Sequence, residues 1–243
     1  MTRRLTRLFT ALLFLTLSYG GAAAQQGGRV GAQELIARGN ERYARAEYEA
    51  AIKVYALVPA DAGEAYAQAL YNIGVCRFEL WQTGEAVRLY VRAVEARDGR
   101  YPKASYALGV ALEELGRGSE AKQAYARAAR SAGFAPAHYK LGMLAAGEGD
   151  VARAATHFRE AIRRSKGKFP ASHNNLGVML ARVGCLDEAE REFEAAIRES
   201  DGTFAEAAHN LERCRTLLAA GRAGGGGLEE LKVAAADDWF RRR

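Results

Sequence analysis

The sequence predicts an all-α protein built from stacked antiparallel helix pairs, and three spacings carry that prediction. Glycines recur at Gly39, Gly74, Gly109, Gly142 and Gly177, at intervals of 33 to 35 residues. Twelve residues after each stands an alanine (Ala51, Ala86, Ala121, Ala154, Ala189), and four further on an aromatic (Tyr55, Tyr90, Tyr125, Phe158, Phe193). Three more bring a small or β-branched residue: Val58, Ala93, Ala128, Ala161 and Ala196. Aromatics make up 9% of the chain, so five aromatic hits in five copies is a chance event of roughly six in a million. Apolar residues three and four positions from each glycine (Leu70, Ile73, Gly74; Tyr139, Leu141, Gly142) define one helical face. A chain-reversing break follows seven residues later in three copies, at Gly116, Gly149 and Gly184. The alanine, aromatic and small residue then fall at spacings of four and three, again one helical face. Glycine and alanine let two backbones approach and the aromatic fills the space beside them. One such pair cannot bury its stripe alone, so neighbours must stack.

The order of elements follows from this register. Residues 1–24 have the layout of a secretory signal peptide: Arg3, Arg4 and Arg7, an apolar run from Leu8 to Tyr19, then small residues ending in Ala-x-Ala before Gln25. Cleavage is expected after Ala24, and the run is short for a span, which needs about 20 residues. An uncleaved anchor is the alternative. No Cys follows the small residues, so the lipid-modified kind of signal is not available. The repeats occupy residues 32–220, as copies over 32–65, 67–100, 102–134, 135–169 and 170–203, with a capping helix over 204–220 that has Glu212 where a sixth glycine would stand. Linkers with a glycine just ahead of Tyr101, Phe134, Phe169 and Phe204 are expected to end one helix and pin the turn to the core. A glycine-rich linker (221–227) leads to a tail (228–243) with Leu228, Leu231 and Ala235 on one stripe, then Trp239, Phe240 and three arginines. The tail either folds back over an exposed end of the body or serves as a tethered contact peptide.

The pattern of Leu-Gly, a helix turn, Ala, a large aromatic and a final Ala, at a period near 34, resembles the tetratricopeptide repeat. The resemblance is carried by Leu108, Gly109, Leu112, Ala121, Tyr125 and Ala128, and by Leu176, Gly177, Leu180, Ala189, Phe193 and Ala196, with matching sets in the other copies. Two departures are visible: proline is absent near the repeat ends, and Arg38 stands where leucine or isoleucine is expected. The resemblance implies a right-handed superhelical solenoid whose first helices line a concave groove for an extended or helical segment of another protein. Projected onto those helices, the groove candidates are Asn40 and Tyr43; Tyr71, Asn72, Val75 and Phe78; Lys103, Tyr106 and Val110; Tyr139, Lys140 and Met143; Asn174, Asn175, Val178 and Arg182; and Asn210 and Arg213. Rings and thioether suit apolar side chains, and Asn can donate to and accept from a peptide backbone. Tyr71, Tyr106 and Tyr139 fall at equivalent places and form an expected ladder; the competing reading is that they shield the helix interface. Some family members grip a terminal carboxylate with Lys, Asn, Asn, Lys and Arg. Here Asn40, Asn72 and Lys103 hold three of those places, but Ile36 and Ala107 stand where cations are needed, so such recognition is not expected.

No phosphate loop, nucleophile elbow or zinc motif occurs, and neither catalysis nor a cofactor or metal is expected. His138 and His173, at the same place in adjacent copies, read as packing residues. Cys76 and Cys214 sit too far apart to bridge, and Cys185 and Cys214 are the one pair that could approach. Glu188, Glu190, Arg191, Glu192 and Glu194 read as a solvated face. The net charge of +6 is divided between the first 24 residues, with three arginines and no acid, and Arg241 to Arg243, leaving the residues between balanced. Nucleic acid is therefore not an expected partner. The expected function is a non-enzymatic protein-binding scaffold or assembly adaptor in the periplasm or outside the cell, touching membrane only through its termini. The alternative is a membrane-tethered assembly factor of a bacterial envelope complex.

Overall fold

The computed structural model describes residues 31–166 and 168–221. The expected signal peptide, nearly all of the glycine-rich linker and the tail lie outside the described residues. Every regular element among the described residues is an α-helix: α1 (31–44), α2 (Tyr48–Tyr55), α3 (Glu64–Glu79), α4 (Thr83–Glu95), α5 (Pro102–Glu114), α6 (Gly118–Ala129), α7 (Ala135–Gly147), α8 (Val151–Arg164), α9 (Pro170–Arg182), α10 (Leu186–Glu199) and α11 (Ala205–Gly221). The chain divides into two compact units at Leu115/Gly116. The first holds the pairs α1/α2 and α3/α4, with α5 packed on α3 and α4. In the second, α6 packs on α7, the pairs α7/α8 and α9/α10 follow, and α11 closes on α9 and α10.

The recurring glycine explains how each pair is held. A Cβ built on Gly177 would lie 2.6 Å from the Phe193 ring, one on Gly142 2.7 Å from Phe158, and one on Gly74 2.7 Å from Tyr90; at Gly39 the Tyr55 ring is closer still. Phe158 and Phe193 are fully buried and Tyr55 and Tyr90 nearly so, with the matching alanines Ala51, Ala86, Ala154 and Ala189 fully buried beside them. Each ring thus lies against the bare backbone of the facing helix. The cores grow from these contacts: Ile36, Tyr55, Val58 and Cys76 cluster with Ala51 and Ala65 in the first unit, and Tyr139, Phe158, Phe169, Leu176, Met179 and Phe193 in the second. Arg38 points outward and is exposed, and Ile36 supplies the buried side chain of α1.

The turn inside each pair requires one residue with positive φ. Gly116, Gly149 and Gly184 supply it at 71°, 77° and 82°, and at the equivalent places Ala46 and Trp81 adopt it at 57° and 60°. The turns close with a bond from the following amide to a carbonyl five residues back: Gln82 N to Arg77 O at 2.8 Å, Asp150 N to Ala145 O at 2.9 Å, and Cys185 N to Leu180 O at 3.0 Å. Pro102, Pro136 and Pro170 open α5, α7 and α9, where the missing N–H costs nothing. The prolines missing near the repeat ends are thus found at the start of the next helix.

Replacing Gly177 by Ala should destabilise the protein by about 1–2 kcal/mol, because overpacking against Phe193 outweighs the helix preference of alanine. Gly118→Ala, where a Cβ would meet nothing within 4 Å, should be neutral or stabilising by at most about 1 kcal/mol. Urea unfolding of the two variants checks this; equal effects would show that the ring contact does not govern pairing.

Candidate partner-binding faces

The predicted groove residues distribute over the first helices of both units, and the units treat them differently. In the first unit, Asn40 on α1 is exposed and its Oδ1 accepts from the Tyr55 hydroxyl at 2.7 Å and from Asn72 Nδ2 at 3.2 Å. That amide link ties α1 to α3. Tyr43 is half-buried with its ring 5.5 Å from Tyr48, and burial, then the nearby Glu79 carboxylate, pushes its hydroxyl up to about 12. Tyr71, Asn72, Val75 and Phe78 on α3 are all half-buried, with edges open to solvent. Tyr106 and Val110 on α5 are half-buried too, and Lys103 is exposed.

Behind Tyr71 stands an aromatic group that the sequence reading did not assemble. Its ring lies 5.9 Å from Tyr90 and 5.6 Å from Tyr101, the linker aromatic, which the Arg97 guanidinium covers at 4.9 Å. The same group recurs in the second unit, where Tyr139 lies 5.8 Å from Phe158 and stacks on Phe169 at 5.1 Å. The separations of 19 and 30 residues are identical in the two places, a regularity readable from the repeat register alone. The outcome differs: Tyr71 keeps an open edge, whereas Tyr139 is only 1% exposed.

In the second unit most of the predicted residues are buried. Asn174, Asn175, Val178 and Asn210 have no exposed surface; Lys140, Met143 and Arg213 are half-buried and Arg182 is exposed. The amides form a relay across three first helices. Asn210 Nδ2 on α11 donates to Asn174 Oδ1 at 2.8 Å, Asn174 Nδ2 to Asn175 Oδ1 at 3.0 Å, and Asn175 Nδ2 to the Tyr139 hydroxyl at 3.2 Å and Met143 Sδ at 3.1 Å. Each buried amide is thereby satisfied, which is the condition for placing Asn at such depth.

The histidines also have partners the sequence reading missed. His138 faces His157 on α8, Nδ1 to Nδ1 at 3.4 Å, and His173 Nδ1 meets Glu192 Oε2 at 2.7 Å. Both pairs are 19 residues apart, the separation already noted for the tyrosines. His173 Nε2 also lies 3.4 Å from Glu199, whose carboxylate accepts the Phe169 amide at 3.1 Å. Burial, then the cations around them, lowers both His138, to about 4, and His157. Glu192 thus serves His173, and Glu190 and Glu194 accept from Arg215 on α11 at 2.6 Å each. All three cysteines are free, Cys76 and Cys214 buried and Cys185 exposed, and burial pushes both buried thiols up to about 11.

The sequence profile described as tetratricopeptide repeat matches residues 81–136 and 139–203. The chain belongs to the tetratricopeptide repeat family. No curated protein sequence matches it significantly. Solved structures share the fold of this tetratricopeptide repeat protein at low identity. PilF of Pseudomonas aeruginosa is 17% identical, with a TM-score of 0.62 over 89% of this chain and 100% of that one. MamA from Desulfovibrio magneticus RS-1 is 19% identical, with a TM-score of 0.56 over 72% and 98%. YrrB, described as having an unusual peptide-binding site, is 22% identical, with a TM-score of 0.54 over 77% and 95%. The tetratricopeptide repeat fold is a protein-interaction scaffold.

Among the described residues there is no cluster of three or more His, Cys, Asp or Glu arranged to hold a metal ion, and the buried thiols are held in the unreactive protonated form. The first unit presents open aromatic edges and amides, and the second a closed amide relay. The histidine pair gives the tetratricopeptide repeat protein a pH dependence. In the folded chain His138 and His157 bind protons less readily than in the unfolded one. Stability is fully present above the usual histidine range and is lost as pH falls from about 6.5 through about 4. Thermal melts from pH 7 to 4 should fall less steeply for His157→Gln than for the wild type; parallel slopes would contradict this.

Proposed function

We propose that this chain is a non-enzymatic scaffold or assembly adaptor that grips an extended or helical segment of a partner protein on the first-helix face of its first unit. The observation that carries the reading is the contrast in exposure. On α1, α3 and α5, Asn40, Tyr71, Asn72, Val75, Phe78 and Tyr106 keep surface open to solvent, while Asn40 is held from behind by Tyr55 and bonded to Asn72, and Tyr71 is held by Tyr90 and Tyr101. Side chains fixed from behind lose little rotamer entropy when a ligand lands on them, so the face is organised before binding. Apolar edges alternating with amides match a peptide that offers side chains and backbone groups together. The peptide-binding site described for YrrB supports the same use of the fold.

We further propose, from the signal-like layout of residues 1–24, that the chain is exported and meets its partner in the bacterial envelope or outside the cell. A protein recovered from that compartment should then begin at Gln25 rather than Met1. The partner it carries should bind Val75→Glu/Phe78→Ala at least about tenfold more weakly, a loss of about 1.4 kcal/mol or more, with unchanged helicity by circular dichroism. A folded variant that keeps wild-type affinity would overturn the reading.

A further inference from the structure

The last residue of each first helix sets the charge at one end of its face. α3 ends at Glu79 and α5 at Glu114, each five residues after its repeat glycine, Gly74 or Gly109. In the second unit the same register holds Gly147 and Arg182, the last residues of α7 and α9. A helix C-terminus carries partial negative charge and favours a cation such as Arg182, so carboxylates there work against their own helices. Both Glu79 and Glu114 are exposed. Other carboxylates of the first unit are answered by arginines: Glu47 by Arg42 at 2.7 Å, Glu49 and Glu85 by Arg77 at 3.2 Å each, and Glu64 by Arg97 at 2.6 Å. Arg45 also acts on Glu47. Among the described residues Glu79 and Glu114 have no such cation, and Glu114 accepts only from the Thr83 hydroxyl, at 3.3 Å.

We propose that this end of the first-unit face receives a lysine or arginine side chain of the partner segment, its stem along the Tyr43 and Phe78 rings and its charged head at Glu79. Tyr43 on α1 and Phe78 on α3 are half-buried, with open edges, and Phe78 directly precedes Glu79. Tyr43 is backed by Tyr48 at 5.5 Å and packs against the core of the first unit, so its ring is fixed before a ligand arrives. After burial, the Glu79 carboxylate is the largest cause of the upward shift of the Tyr43 hydroxyl, which places acid and ring in one electrostatic neighbourhood. Glu114 stands on α5, which contacts α3, one helix step of about 8–10 Å away, and adds to the same negative field. A cation there gains from the carboxylates, from the helix ends and from the ring faces, while its apolar stem covers ring surface. Lys103, the cation predicted for this face, is eleven residues before Glu114 on α5, about 16 Å along the helix, so it leaves the acidic end unanswered. The partner segment is thereby basic as well as apolar, and oriented with its cation at the C-terminal ends of α3 and α5.

This assignment rests on the scaffold reading, and the two fail in different ways. The probe is a random dodecapeptide library selected against the full chain. Selected peptides should carry Lys or Arg beside apolar residues. Glu79→Gln/Glu114→Gln should bind the leading peptide about threefold or more weakly and with less dependence on salt, as loss of a partly exposed charge contact requires. Selection against Glu79→Lys/Glu114→Lys should put Asp or Glu where the cation stood. Both positions are exposed, so circular dichroism should show unchanged helicity in each variant. Peptides that depend on Val75 and Phe78 but carry no basic residue, or that bind the Gln variant as tightly as the wild type, would overturn the cation site and leave the scaffold reading standing. A library that yields no binder, or only binders indifferent to Val75→Glu/Phe78→Ala, would overturn both.

Discussion

The contact between a backbone glycine and an aromatic ring is the constraint from which the rest of this protein follows. At four described places a ring lies so close to the facing helix that even a methyl group would not fit. Removing the side chain at one position and enlarging it at the other draws two helices together. The small residues nearby (Ala51, Ala86, Ala154, Ala189, Ala93, Ala161, Ala196) are all fully buried and follow from the same short distance. The pair then presents an apolar outer edge that only another pair can cover, which makes repetition a physical necessity.

Once the pairs are fixed by that contact, the first-helix face is free to vary, and the variation separates the two units. The aromatic trios Tyr71, Tyr90, Tyr101 and Tyr139, Phe158, Phe169 share the same separations along the chain, yet the first leaves an edge in solvent and the second does not. Amides follow the same division. Asn40 and Asn72 join α1 to α3 at a surface, whereas Asn174, Asn175 and Asn210 form a relay with no exposure. A buried relay of this kind fixes register between helices, since any slip would leave an amide unsatisfied. Trp81 is the exception to local economy: a large side chain in a left-handed turn, 85% exposed, where the later pairs use glycine.

Much of this was legible in the sequence because the repeat register is one-dimensional. The spacing of glycine, alanine and aromatic dictated the helix pairs, and the linker aromatics Tyr101 and Phe169 were readable as pins to the core. Depth was not legible. A helical projection places Tyr71 and Tyr139, or Val75 and Val178, on the same face, and cannot tell which will be covered, because cover is supplied by other parts of the chain. Cross-helix partners such as His157 for His138 and Glu192 for His173 were also missed, although their shared separation of 19 residues recurs in the tyrosine contacts. Searching for that separation would have found them. The glutamates of α10 likewise looked like a solvated face because Arg215 lies in the next helix.

The claim that ring-on-glycine contact organises the fold is tested most directly by a double-mutant cycle at Gly142 and Phe158. If the two positions act through their contact, Gly142→Ala and Phe158→Leu together should cost less than the sum of the single changes, by about 1–2 kcal/mol, since the smaller side chain makes room for the added methyl. Effects that add within about 0.5 kcal/mol would show two independent sites and contradict the account.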